Sequence, residues 1–232
     1  MKKLMTLILA VAMTIPVFAQ FENNRQRSRY KHDDTERYYG LRLGLNVATL
    51  NSSNVALLDM GARAGLTFGG VFGFQLANSA PLWLETGLFY SEKGGVSSTP
   101  LNDVELSYGS TKEKVNVNEV KCRLSYLQVP IVVKYSFEMG DDFYMQPFFG
   151  GFLSLGVGGK MKFDTTDKDK RQANSSFDYV NRFDGGLRVG CGMEYQMVYV
   201  EIGCDFGLAN IGKGDFDSVR NQNFHIVAGV NF

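Results

Sequence analysis

The last ten residues, Asn223 to Phe232, alternate strictly. Phe224, Ile226, Ala228, Val230 and Phe232 fall on one face of an extended chain, with Asn223, His225, Val227, Gly229 and Asn231 on the other. A period of two makes this a strand with one greasy face. A strand that stops on Phe232 has no flanking residues to cover that ring, and hydrocarbon would cover it.

Seven more segments carry the same alternation. In the first, Tyr39, Leu41, Leu43, Leu45 and Val47 alternate with Gly40, Arg42, Gly44, Asn46 and Ala48. An arginine among glycines on the inner face suits a polar barrel interior, not a soluble core. Six further strands are expected over 61–75, 82–90, 126–135, 143–155, 183–195 and 198–207. Pro130 forfeits one ladder bond in the fourth strand, and a bulge is expected there because a closed barrel has no edge.

The connections alternate in length. Residues 50–60, 91–119, 158–178 and 212–222 form long links, while 77–81, 138–142 and 196–197 form short ones. Within 91–119, counted as a loop, Val104 to Tyr108 and Val115 to Val117 could form a hairpin standing above the membrane. The pattern predicts an all-β fold, an eight-stranded antiparallel up-and-down transmembrane β-barrel with long outer loops and short periplasmic turns.

Composition agrees, since 26 Gly, 18 Phe and 11 Tyr far outweigh 5 Pro and a single Trp. Small residues inside and aromatic residues outside suit a narrow membrane barrel. The formal net charge is zero, which gives no argument for nucleic acid or an acidic substrate. Lys2 and Lys3, the apolar run Leu4 to Val17 and the small-residue site Val17-Phe18-Ala19 read as a signal peptide over 1–19. Residues 20–37 read as a flexible periplasmic leader of mixed charge, and 38–232 as the barrel domain. No later apolar run is long enough for a helical span, so membrane residence requires a closed barrel.

The inward positions carry Arg42, Arg63, Lys134 and Arg188 against Glu85, Asp184, Glu194, Glu201 and Asp205, with His225 beside them. In a narrow lumen each charge must be paired or solvated. One reading makes Glu201 and Asp205 an acid/base pair, or the arginines an anion track. The expectation is a charge-compensated polar plug, because eight strands leave room only for side chains and a few waters. His225 is expected to hydrogen-bond Glu201 or Asp205 structurally.

Catalytic and cofactor patterns fail. Gly158-Gly159-Lys160 has Ser154 where a phosphate-binding loop needs its first glycine and Met161 where it needs Ser or Thr. Gly190-Cys191-Gly192 has Tyr195 in place of the third glycine of a dinucleotide fingerprint. Ser154 sits in no nucleophile elbow. Cys122, Cys191 and Cys204 lack the close spacing of a zinc site. Counting back from the Gln196-Met197 turn puts Cys191 opposite Ile202 and Cys204 opposite Val189, a poor separation for a disulfide. Lipid-facing free thiols are expected, with no enzyme activity, no cofactor and no metal.

Three motifs carry a family resemblance. Tyr126-Leu127-Gln128-Val129-Pro130, then Asp184-Gly185-Gly186 with Gly190-Cys191-Gly192-Met193-Glu194, and then Phe206 to Ile211 resemble the PorT-like outer-membrane β-barrel family. The similarity covers about residues 38–232. It implies an eight-stranded barrel in the outer membrane of a Gram-negative bacterium and implies no reaction. PorT itself serves a protein-secretion and maturation system, and no signature here separates that role from the rest of the family. The expected protein is therefore a small integral outer-membrane barrel, a porin-family structural or interaction protein working through its outer loops. A secretion accessory and a lipid-modifying enzyme are the alternatives. The expected partners are outer-membrane lipid, the barrel-assembly machinery acting on the strand that ends at Phe232, and another envelope or secretion protein.

Overall fold

Alternation of this kind leaves every strand needing a neighbour on both sides, and the chain meets that need by closing a sheet on itself. The computed structural model describes residues 37–52, 60–77, 80–97, 101–108, 111–140, 142–165, 172–178, 180–213 and 219–232. The expected signal peptide over 1–19 and the expected leader over 20–37 lie outside them, apart from Arg37, which opens the first strand. The strands are β1 (Arg37–Ser52), β2 (Met60–Ala77), β3 (Ala80–Ser97), β4 (Leu101–Tyr108), β5 (Thr111–Tyr135) and β6 (Phe137–Gly140). They continue as β7 (Phe143–Thr165), β8 (Gln172–Asn174), β9 (Phe183–Tyr195), β10 (Val198–Gly207) and β11 (Val219–Asn231).

Eight of these close the barrel, all antiparallel, in the order β1-β2-β3-β5-β7-β9-β10-β11 and back to β1. The other three are additions: β4 pairs with β5, while β6 and β8 pair with β7. The seam runs along β1 and β11, where Leu41 faces Val230 and Val47 faces Phe224. Tight turns at one end use left-handed backbone at Asp142 (φ 59°) and Gln196 (φ 55°).

The outer face of the sheet is a belt of exposed apolar side chains. It includes Leu41, Leu43, Phe68, Ile131, Phe149, Leu153, Ile202, Ile226 and Phe232, which are 47–63 % exposed. In water so much bare apolar surface would be unstable, and hydrocarbon removes the cost. On β5 the belt runs from Leu127 to Tyr135, close to the 9–11 residues a tilted strand needs to cross.

Beyond the belt the pattern turns over. On β5, Val120, Cys122, Leu124 and Tyr126 face inward while Lys121 and Arg123 face outward. Below them, Gln128 and Lys134 face inward and Leu127 and Ile131 outward. The upper residues join Leu50, Met60, Met161, Phe177, Val180, Ile211 and Val219 in an apolar core that caps the barrel. The barrel therefore stands out of the membrane as a water-facing extension with an ordinary oily interior.

The extension corrects several sequence expectations. Residues 91–119 are not a loop: β3 runs on to Ser97, and β4 forms a hairpin with β5, Tyr108 facing Thr111. The expected loop 158–178 contains the end of β7, then β8 and a 3-10 turn over Ser176–Asp178. Likewise β1 reaches Ser52 and β2 starts at Met60, inside the expected 50–60 link. Pro130 carries no bulge, since Thr86 faces Ile131 and Phe89 faces Gln128 in one unbroken register. The ladder lapses between those pairs, and the Pro130 carbonyl instead accepts from Thr86 Oγ1 at 2.8 Å. The bulge lies on β7, where Ser125 faces Gly158 but Tyr126 faces Gly156, leaving Val157 as the extra residue.

Candidate functional site

Strands of period two send every second side chain into the lumen, so the ring order of the strands decides which charges meet. Toward the short-turn end, Glu85 on β3 is the hub. Its carboxylate accepts from Tyr38 Oη at 2.6 Å, lies 2.9 Å from Lys134 Nζ and lies 3.6 Å from Arg42 Nη2. Lys134 also donates to Tyr199 Oη at 2.6 Å, and Tyr199 donates to Glu201 at 2.9 Å. The Arg42 guanidinium stacks 4.0 Å from the Tyr199 ring centre and donates to Asn231 Oδ1 at 2.7 Å. Asn231 and Gln146 in turn donate to Glu194, at 2.8 and 3.1 Å.

A second network lies above, around Asp205 on β10. Arg188 Nε donates to it at 2.7 Å, Gln128 at 3.1 Å and Asn223 at 3.3 Å. Lys93 Nζ stands 3.8 Å from both Asp205 and Asp184, and 4.3 Å from the Phe152 ring centre. Asp184 also accepts from Asn221 at 3.0 Å.

His225 links the two networks. It faces Gly203 on the next strand, so Glu201 and Asp205 flank it two residues to either side. Its Nε2 lies 3.6 Å from Glu201 and its Nδ1 4.0 Å from Asp205. A Cβ on Gly203 would sit 2.6 Å from His225 Nε2, so only glycine leaves the ring its place.

Of the sequence-predicted lumen residues, Arg42, Glu85, Lys134, Asp184, Arg188, Glu194, Glu201, Asp205 and His225 are all buried and belong to these networks. Arg63 does not join them. It sits at the upper rim, donating to the Lys93 carbonyl at 3.3 Å with Glu92 at 4.0 Å. Lys93, fully buried, went unrecognised because it falls in the stretch read as a loop. The signal was present: Trp83, Glu85, Phe89, Ser91 and Lys93 hold one unbroken inward parity, disguised by Gly94 and Gly95.

The cysteines divide. Cys191 faces Ile202 and Cys204 faces Val189, on the belt side as expected, and all three cysteines are free. Cys122 is not lipid-facing: it is buried in the apolar cap, 3.9 Å from Ser176 Oγ. Burial pushes its thiol up to about 11, against an ordinary 9.0.

A closed eight-stranded sheet, belted outside and charged within, is the architecture of outer-membrane proteins. Residues 18–212 match the family described as outer membrane protein beta-barrel domain. The chain belongs to that family. It is an outer-membrane β-barrel protein, and the family match is to the domain as a whole, without singling out its PorT-like members. Among solved structures, the chain is similar to Ail, the attachment invasion locus protein of Yersinia pestis, at 12 % identity and a TM-score of 0.41, covering 85 % of this chain and 99 % of that one. Neisserial surface protein A is similar at 16 % identity and a TM-score of 0.41, over 83 % and 95 %. OprG from Pseudomonas aeruginosa is similar at 11 % identity and a TM-score of 0.40, over 88 % and 99 %. No curated protein matches the chain.

Proposed function

We propose that this outer-membrane barrel is neither a pore nor an enzyme, and that it acts as an envelope interaction protein through the extension standing beyond its apolar belt. The observation that carries this reading is the filled lumen. Its charges are buried and paired within two networks, and the apolar cluster around Leu124, Tyr126 and Phe177 covers their outer end. Side chains committed to one another in this way are not free to track an ion or to meet a substrate. The surface left for recognition is the extended sheet β3–β5–β7 with the β4 hairpin. The acid/base reading of Glu201 and Asp205 has no support in this geometry, since both carboxylates are held by cations and hydrogen bonds inside the wall.

The test has two arms. In planar bilayers the folded protein gives no sustained conductance; a large open level would overturn the closed-lumen reading. In cells, crosslinking captures an envelope partner that is lost when residues 101–110 are replaced by a short turn. Capture of secretion-machine subunits in fixed ratio would select the secretion-accessory role, while turnover of a purified lipid by the folded protein would replace this proposal with an enzymatic one.

A further inference from the structure

The inverted pattern above the belt places cations where the two outermost described surfaces of β5 and β7 meet. Lys121 faces Lys162 and Arg123 faces Lys160 across that strand pair, and all four side chains are exposed. Like charges directly opposite one another on neighbouring strands destabilise a sheet. Two of the four are offset: Lys121 lies 2.6 Å from Glu119, and Arg123 pairs with Glu92, which raises its already high pKa. Asp164 faces Glu119 on the side away from the belt. Lys160 and Lys162 make no ion pair among the described residues.

Height above the membrane identifies what these cations face. Among the described side chains, the last outward apolar residues of the two strands are Leu127 and Val157, four residues below Arg123 and three below Lys160. At roughly 3.3 Å per residue and a tilt of about 40°, Lys162 and Lys121 stand about 13–15 Å above the edge of the belt, and Lys160 and Arg123 about 8–10 Å. That is the depth of lipid headgroups, with the acyl chains lying directly beneath.

We propose that Lys160 and Lys162, flanked by Lys121 and Arg123, bind the phosphate of an anionic membrane lipid whose acyl chains pack on Leu127, Leu155 and Val157. Ammonium and guanidinium donors form charge-assisted hydrogen bonds with phosphate oxygens, which removes the repulsion between the facing pairs. Only Ser125 on β5 and Gly158 and Gly159 on β7 separate the patch from the belt, so a phosphate held by its lower cations arrives attached to hydrocarbon. This site is independent of the lumen and occupies the β5–β7 face of the extension, apart from the β4 hairpin on which the partner test acts.

The test uses the full chain folded in phosphatidylcholine nanodiscs doped with a bisphosphorylated glucosamine-based lipid, with bound lipid counted by native mass spectrometry. Each near-surface cation contributes about fivefold in affinity, so Lys160→Gln with Lys162→Gln lowers binding about 25-fold. Arg220→Gln, on the exposed face of β11, leaves it unchanged, and the dephosphorylated lipid binds wild type no better than the double variant. Unchanged binding in the double variant would overturn the proposal. So would a double variant that loses only a soluble sulfated polysaccharide, which would make the patch a site for a free polyanion.

Discussion

Tyr39 and Phe232 exchange backbone hydrogen bonds, Phe232 N donating to the Tyr39 carbonyl at 2.7 Å and Tyr39 N to the Phe232 carbonyl at 3.2 Å. The first strand and the last residue thus lock the barrel at the point where its two ends meet. Phe232 is 50 % exposed and lies on the belt, so the open half of its ring faces hydrocarbon. Replacing Phe232 with Ala keeps both backbone bonds and removes the ring. It is expected to lower stability in vesicles by about 1–2 kcal/mol, measured by denaturant unfolding. Deleting Phe232 removes the bonds as well and is expected to reduce the heat-modifiable, folded fraction in cells more than Phe232→Ala does.

Lys134 holds Glu85 and touches Tyr199 inside the barrel, where all three side chains are buried. Replacing Lys134 with Met leaves carboxylates short of a buried counter-charge and is expected to cost about 3–5 kcal/mol. Adding Glu85→Gln to that variant removes the stranded charge and is expected to recover a large share. A double-mutant cycle on unfolding free energies checks this, and simple additivity would count against the pairing.

Gly203 makes room for His225. Alanine there is expected to cost about 1–3 kcal/mol through overpacking, because the ring is buried between Glu201 and Asp205 and cannot swing aside. Adding His225→Ala should remove most of that penalty, read from the same unfolding curves. An unpenalised Gly203→Ala would show that the ring is not confined.

Cys122 gives a pH dependence with a defined sign. Its folded pKa of about 11 lies above the ordinary 9.0, so folding favours the neutral thiol. The stability it confers is full below pH 9, declines as the pH rises and is lost by about pH 11. Cys122→Ser should flatten that alkaline decline. In the folded protein, Cys122 should also resist alkylation at neutral pH until denaturant is added.

Much of the barrel was legible because alternation is a local property. Leu41 and Arg42 fall on opposite faces whatever their neighbours do, and with the same parity Glu85, Lys134, Glu201 and His225 are buried inside the wall. Arg63 failed because it sits at the rim, where the β2–β3 register shifts between Gly61 and Thr67. The extension was misread for a related reason: its outward residues are Lys121, Arg123, Lys160 and Lys162, and charged alternation with glycines looks like a loop when the belt pattern is the template.

The sequence alone determined the eight strands within the belt and their two faces, since a period of two fixes direction without any partner. Only the closed sheet decided that Glu85 meets Lys134, that Lys93 stands between Asp184 and Asp205, and that Cys122 lies in an oily cap. Those depend on ring order and register between strands far apart in the chain. They depend also on where the membrane stops: beyond that edge the surroundings change from hydrocarbon to water, and the same alternation reverses which residues it buries.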